Sequence, residues 1–337
     1  YEPNLQQGLK IASTGARSFN DYRRLLDDQS FNAVVIATPD HWHARMIIDA
    51  VNAGKDVYVE KPMAHEIQEG FAVIDAVRRT KRIVQVGTQR RSAEIFLEAK
   101  KIMESGQTGD IRLVTSYWLN SQSSLSDRKL EGNLDWQQWL GTTRKIPVDA
   151  KRFFNWYYFW DYSGGLLIGQ AAHIFDTIQW YMNSTYPIAV TCTGGQVNLS
   201  GAEIPETASV SIEFPENYLA TFTIGYKAMK YQFSNDQLMQ YHGNKARFDV
   251  GREGYSLYPQ SNDIDMVPSI QKKKPGSFNL ATLSHIRNFM ECIRDRKEPN
   301  APVEAGQATN VLLCMSLDSM SVGRRMKWNA QKRVAEF

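Results

Sequence analysis

The stretch from Phe31 to Pro62, FNAVVIATPDHWHARMIIDAVNAGKDVYVEKP, decides the fold. It opens on a nearly continuous apolar run, Phe31–Thr38, rich in β-branched residues. Such a run suits a parallel strand buried on both faces. Ala44, Ile47, Ile48 and Val51 then recur at helical spacing across His43–Ala53, and Gly54 offers a left-handed C-cap. A second strand, Val57–Val59, ends abruptly in Glu60, Lys61 and Pro62. Pro62 restricts Lys61 to extended conformations. Strand, helix and strand in this order predict a parallel sheet with a right-handed crossover.

The alternation continues outward. Ile67–Arg79 has the spacing of an amphipathic helix, Ile83–Val86 of a strand, and Ala93–Met103 of a helix closed by Gly106 and Gly109. Before Phe31, Pro3 suits the first turn of a helix running to about Ala12, and a second helix is expected over Asn20–Asp28. No G-x-G-x-x-G precedes Phe31, so the Phe31 strand is not expected to be the first of its sheet. Either a first strand-helix-strand unit lies upstream of Tyr1, or it was never present.

From Ile111 the character changes. A strand over Ile111–Trp118 leads into a Trp-rich connection and a helix from about Ala171 to Met182. Strand-like runs follow at Ala189–Thr193, Ala208–Phe214, Leu219–Tyr226, Gln237–His242 and Ala246–Val250. Turn signals such as Pro215-Glu216-Asn217 and Gly243-Asn244 separate them, which predicts antiparallel pairing. Helices over Leu280–Arg296 and Ala305–Val322 complete the chain. The expected fold class is α/β plus α+β. Residues 1–112 form a partial Rossmann domain with a parallel sheet. Residues 113–337 form a larger domain with an open, mostly antiparallel sheet and flanking helices.

Composition narrows the function. The 337 residues are 42% hydrophobic and 22% charged, which suits two globular domains. The net charge of +3 is small, and Lys272-Lys273-Lys274 runs into Pro-Gly as a solvated loop would, so nucleic acid is not the expected partner. Cys192, Cys292 and Cys314 lack C-x-x-C spacing and imply neither a metal site nor a redox pair. No apolar run approaches membrane-spanning length.

Several residues carry candidate chemistry. Lys61, at the carboxyl end of a parallel strand, falls in the crevice where open α/β sheets bind ligands. There an ammonium can hydrogen-bond a ribose and a substrate hydroxyl, and partial burial lowers its pKa. Thr38, Pro39, Asp40 and His43 follow the previous strand end and face the same cleft. His41 reads as a surface-loop residue and Trp42 as packing. The run Phe153–Trp160, FFNWYYFW, is the strongest anomaly of composition. Its aromatic faces suit the C–H faces of a sugar, or equally a domain or subunit interface.

Ala37-Thr38-Pro39-Asp40-His41-Trp42-His43, followed by Gly54-Lys55 and then Glu60-Lys61-Pro62, resembles the Gfo/Idh/MocA oxidoreductases. The family pattern is T-P-[ND]-x-x-H and then A-G-K-x-V-x-x-E-K-P. Val86–Arg91, Leu134–Gly141, Trp160–Gly165, His173, Asp176 and His285–Phe289 extend the resemblance over essentially the whole chain.

The resemblance implies NAD or NADP as cofactor and a carbohydrate or polyol as substrate. It implies Lys61 and His173 as the catalytic pair, and Glu60 and Gln89 beside the cofactor with Thr38, Pro39, Asp40, His43 and Lys61. Arg91, Trp156, Tyr158, Asp161 and Asp176 fall on the substrate side, and Arg90 is left as a surface charge. It further implies that the Lys61–Pro62 bond is often cis. A homodimer or homotetramer through the open sheet is expected, in the cytoplasm or exported to the periplasm. Some relatives are glycosidases that use NAD with no net redox change, and a non-catalytic carbohydrate-binding remnant is a third reading. One departure matters. Relatives carry an acidic residue four positions before the histidine, where this chain has Gly169.

Overall fold

The structure, a computed structural model, describes residues 1–119, 124–225, 237–261 and 266–337. Two helices, α1 (Glu2–Ile11) and α2 (Tyr22–Leu26), lead into the first sheet. That sheet comprises β1 (Ala33–Ile36), β2 (Asp56–Val59) and β3 (Val84–Val86), all parallel, in the order β1-β2-β3. The crossovers are α3 (His43–Asn52) and α4 (Ile67–Thr80), and α5 (Glu94–Glu104) follows β3. All four residues of the central strand β2 are buried, which is why its sequence reads as continuous rather than alternating. α3 turns Ala44, Ile47, Ala50 and Val51 inward, and Gly54 supplies the positive φ of 79° just beyond its end.

Two buried charges fasten the amino end of β2. Lys55 Nζ donates to Asp28 O at 2.6 Å and to Phe31 O at 3.0 Å. Asp56 accepts the Ile83 N–H at 2.8 Å and pairs with Arg296 at 2.7 Å.

The second sheet begins with β4 (Ile111–Leu119). Three helices follow it: α6 (Trp136–Leu140), α7 (Ala150–Phe154) and α8 (Gly165–Met182). Then come β5 (Ala189–Gly194), β6 (Ala208–Phe214), β7 (Tyr218–Gly225), β8 (Met239–Gly243), β9 (Ala246–Gly251), β10 (Gly254–Pro259) and β11 (Ile270–Lys273). Helices α9 (Ala281–Asp295) and α10 (Val303–Val322) precede the closing hairpin of β12 (Met326–Asn329) and β13 (Val334–Glu336). The ten strands lie in the order β11-β10-β9-β8-β4-β7-β6-β5-β12-β13. Neighbours are antiparallel except β4 and β7, which run parallel.

Helix α8 covers one face of this sheet, with Phe175 edge-on to Phe222 of β7 at 5.6 Å. On the other face Thr191, Ser209 and Thr223 point outward and are exposed, so that face is open and hydroxyl-rich.

Three expectations change. Helix α8 starts at Gly165, not near Ala171. It is buried nearly all round, so its first turns carry no polar face to reveal the helical period. Strands β10 to β13 were not anticipated; β11, β12 and β13 have three or four residues each, and β10 alternates but buries just two side chains, Tyr255 and Leu257. Tyr226, the expected end of the β7 run, lies outside the described residues.

Candidate active site

The carboxyl ends of β1, β2 and β3 meet the buried helix α8, and the candidate site is built there. Thr38–Pro39, Glu60–Lys61 and Thr88–Gln89 occupy the turns just beyond the three strands.

Glu60 and Lys61 go separate ways. The Glu60 N–H donates to Ile36 O at 2.9 Å, and its carboxylate lies against Gly87, where an added Cβ would come within 3.0 Å of Oε2. Lys61 crosses to α8 and donates from Nζ to Gly169 O at 2.7 Å. The Lys61–Pro62 bond is cis. Part of the Lys61 side chain is exposed, but its ammonium is closely surrounded. Desolvation pulls its pKa below the ordinary lysine value, and the Asp40 and Glu60 carboxylates oppose that shift.

His173 sits one helical turn after Gly169. Its ring is buried and stacks on Trp118 of β4, with centroids 6.1 Å apart and an interplanar angle of 25°. Nδ1 is buried and has no hydrogen-bond partner among the described residues. Burial holds the imidazole well below the usual histidine range, and the charges of Lys61 and Arg90 push the same way. The ring is therefore neutral near pH 7 and able to accept a proton.

Behind this pair lies a brace. Ser163 Oγ donates to Asp40 Oδ2 at 2.6 Å, joining the turn after β1 to the residues just before α8. Burial raises the Asp40 carboxyl, while His43, Ser163 and Lys61 lower it. His43 is buried, with Nδ1 2.6 Å from Pro62 O and Nε2 2.9 Å from Thr38 O, so it ties the ends of β1 and β2 together. His41 is not a surface residue. It is buried with Nε2 3.1 Å from Trp139 O, and burial pushes it down to about 4.

The two arginines also depart from expectation. Arg90, read as a surface charge, is 1% exposed. It donates to Gln237 Oε1 at 2.7 Å, lies over Phe96 and Trp118, and is pushed down to about 10 by burial. Arg91 holds Asp176 at 2.8 Å and 3.0 Å, so that carboxylate is already neutralised. Burial raises the Asp176 carboxyl and Arg91 opposes it.

The residues present fit a nicotinamide nucleotide. Among the described residues, Thr38 Oγ1 and Gln89 Oε1 are buried without hydrogen-bond partners, beyond the ends of β1 and β3, the two strands that flank β2. A cavity of about 700 Å³ opens beside Thr38, Pro39, Trp42 and Trp139. A second, of about 300 Å³, joins Thr38 and Pro39 to Arg128, Phe154 and Trp156. Lys61 and His173 line neither of these two cavities. Of the other expected substrate-side residues, Tyr158 packs into the main core, and Asp161 turns to Arg144 at 3.1 Å and Arg152 at 3.3 Å. The structure does not bring these two to the Lys61–His173 pair. Among the described residues, no three His, Cys, Asp or Glu side chains cluster as metal ligands would.

The family model described as "Oxidoreductase family, NAD-binding Rossmann fold" matches residues 1–88, and the GFO/IDH/MocA C-terminal domain matches residues 96–249. The chain belongs to the Gfo/Idh/MocA oxidoreductases. A scyllo-inositol 2-dehydrogenase (NAD(+)) of Bacillus subtilis is 23% identical over 83% of this chain and 72% of its own. The WlbA dehydrogenase from Bordetella pertussis, in complex with NADH and UDP-GlcNAcA, superposes with a TM-score of 0.68 at 20% identity, covering 97% of this chain and 88% of that one. A levoglucosan dehydrogenase, in complex with NADH and levoglucosan, gives 0.70 at 18% identity, over 92% and 83%.

Within this Gfo/Idh/MocA chain, sequence reading missed two residues around His173. Trp118 is the ring beneath it, placed there by β4 and unsignalled in the sequence except by lying on a strand. Tyr157 stands between Trp156 and Tyr158, the two residues singled out from the aromatic run, and its hydroxyl lies where a Cβ at Gly169 of α8 would stand.

Proposed function

We propose that the chain oxidises a hydroxyl of a sugar, glycoside or polyol with NAD, with Lys61 and His173 handling the proton. The carrying observation is the Lys61 ammonium on Gly169 O, one helical turn from a buried imidazole whose Nδ1 has no hydrogen-bond partner among the described residues. The named inositol and levoglucosan dehydrogenases support the substrate class, and the NADH in two structural neighbours supports NAD over NADP.

A bound nicotinamide supplies the hydride acceptor. Thr38, Pro39, Glu60, Lys61 and Gln89 would hold it, with Asp40 and His43 bracing the turns behind. Lys61 donates to the substrate oxygen and eases loss of the hydroxyl proton, which His173 accepts. Arg91, fixed by Asp176, and Trp156 serve the substrate side. In this reading residues 1–112 carry the cofactor and residues 113–337 the substrate, and the open sheet face joins copies of the chain.

The test is NADH formation from NAD with inositols, levoglucosan and simple sugars. Turnover is expected with at least one, and Lys61→Ala is expected to lower kcat by roughly 100-fold or more while NADH still binds in calorimetry. Absence of both turnover and NADH binding would overturn the reading in favour of a carbohydrate-binding remnant. Release of sugar from an aryl glycoside with no net NADH would make it a hydrolase.

A further inference from the structure

Gly169 is the position at which this chain departs from the pattern it resembles. The structure gives the reason for the glycine. An ideal Cβ built at Gly169 would overlap the Tyr157 hydroxyl outright and would stand 2.8 Å from ring atom Cε2. The phenol oxygen therefore occupies the volume that any side chain at position 169 would fill. It arrives there from the 3-10 turn Trp156–Tyr158, a separate element from α8.

The location is chemically loaded. Positions 169 and 173 lie four apart on α8 and share a face. The Gly169 carbonyl receives the Lys61 ammonium at 2.7 Å, and His173 Nδ1 is buried without a hydrogen-bond partner among the described residues. The charges that bear on His173 are Lys61 and Arg90, both cations. The phenol makes no hydrogen bond to Nδ1 in this structure; one turn before the imidazole it is sited to close on that nitrogen when substrate binds, as donor or acceptor. A phenylalanine would fill the same space without that capacity.

We propose that Tyr157 is a positioning residue of this site, its hydroxyl standing in for a side chain at position 169 and orienting His173 beside Lys61. The proposal rests on the alcohol-oxidation reading above. In that reaction the substrate C–H leaves as hydride to NAD, the C–O bond becomes C=O, and the O–H proton passes to His173. Tyr157 neither gains nor loses a proton overall; it fixes the ring that takes one.

The experiment compares wild type, Tyr157→Phe, Tyr157→Ala, Gly169→Asp and the double variant Tyr157→Ala/Gly169→Asp. Tyr157→Phe is expected to keep its melting temperature and its affinity for NADH. Its kcat should fall roughly 100-fold with little change in KM, and the pH profile should shift. In nitrogen-15 NMR the His173 imidazole, assigned with His173→Gln, is expected to change its tautomer balance and titration. Gly169→Asp alone is expected to be destabilised by collision with the phenol. The double variant should regain at least about tenfold in kcat over Tyr157→Ala, because a carboxylate then fills the vacated space. An unchanged His173 spectrum and an unchanged pH profile in Tyr157→Phe would overturn the proposal and leave the ring as packing. The NMR arm stands apart from turnover. A chain that oxidises no alcohol but whose His173 responds to loss of the Tyr157 hydroxyl would refute the reaction and keep the positioning role.

Discussion

His41 and His285 are each pushed down to about 4, and His173 lies well below the ordinary histidine range, with burial the first cause in all three. Between pH 6.5 and the folded-state values, the unfolded chain binds protons that the folded chain refuses. The stability that His41 and His285 contribute is therefore fully present above about pH 6.5 and lost as pH falls toward 4, and His173 acts in the same direction. For His41 and His285 the loss is on the order of 3 kcal/mol each once the pH is below both values. Urea denaturation between neutral pH and about pH 4.5 should show a steep fall in midpoint, and His285→Gln should flatten it. A midpoint indifferent to pH would contradict this. At the same scale, Lys61 was legible because its neighbours in sequence, Glu60 and Pro62, form its setting. Arg90 was not, because Gln237 and Trp118 come from distant parts of the chain and turn an apparent surface charge into a buried one.

Helix ends give a second kind of test. Lys81, Asn183 and Arg296 cap α4, α8 and α9 in the left-handed conformation, with φ of 54°, 52° and 53°. Glycine relieves that backbone strain, but the three side chains differ in what they hold. Lys81 is exposed, and its bonds among the described residues are made by its backbone, the N–H to Val77 O and the carbonyl from Arg296, so Lys81→Gly should stabilise by about 0.5–1 kcal/mol in urea denaturation. Arg296→Gly should destabilise by about 2–3 kcal/mol, because it leaves Asp56 buried without its partner. Asn183→Gly loses the hydrogen bond from Lys100 at 2.8 Å and should gain nothing. Three equal gains would show that the side-chain contacts contribute little. The helices whose apolar residues fall on one face were readable to within a residue or two. Helix α8 was not, because burial on every side removes the polar stripe that marks a helix start.

At the scale of the molecule, the parallel sheet was readable because each strand is followed directly by its crossover helix. The ten-stranded sheet was readable only in its middle. Its outer strands owe their places to partners far along the chain, as β12 does to β5. The open face, with Thr191, Ser209 and Thr223 outward, is where copies of the chain are proposed to meet. Light scattering is expected to give twice or four times the chain mass, and Ser209→Arg/Thr223→Arg to give single chains by charge repulsion across the pairing axis. A wild-type chain that is single at micromolar concentration would overturn that assembly.

The phenol lodged against Gly169 also constrains how this protein can change over time. Neither position can vary alone: a side chain at 169 meets the ring, and loss of the ring empties the place beside the histidine. Drift at one is closed until the other has moved, so the pair forms an epistatic lock. Lineages carrying a carboxylate on the helix and lineages carrying a phenol from the loop would be separated by a step that must be taken twice at once.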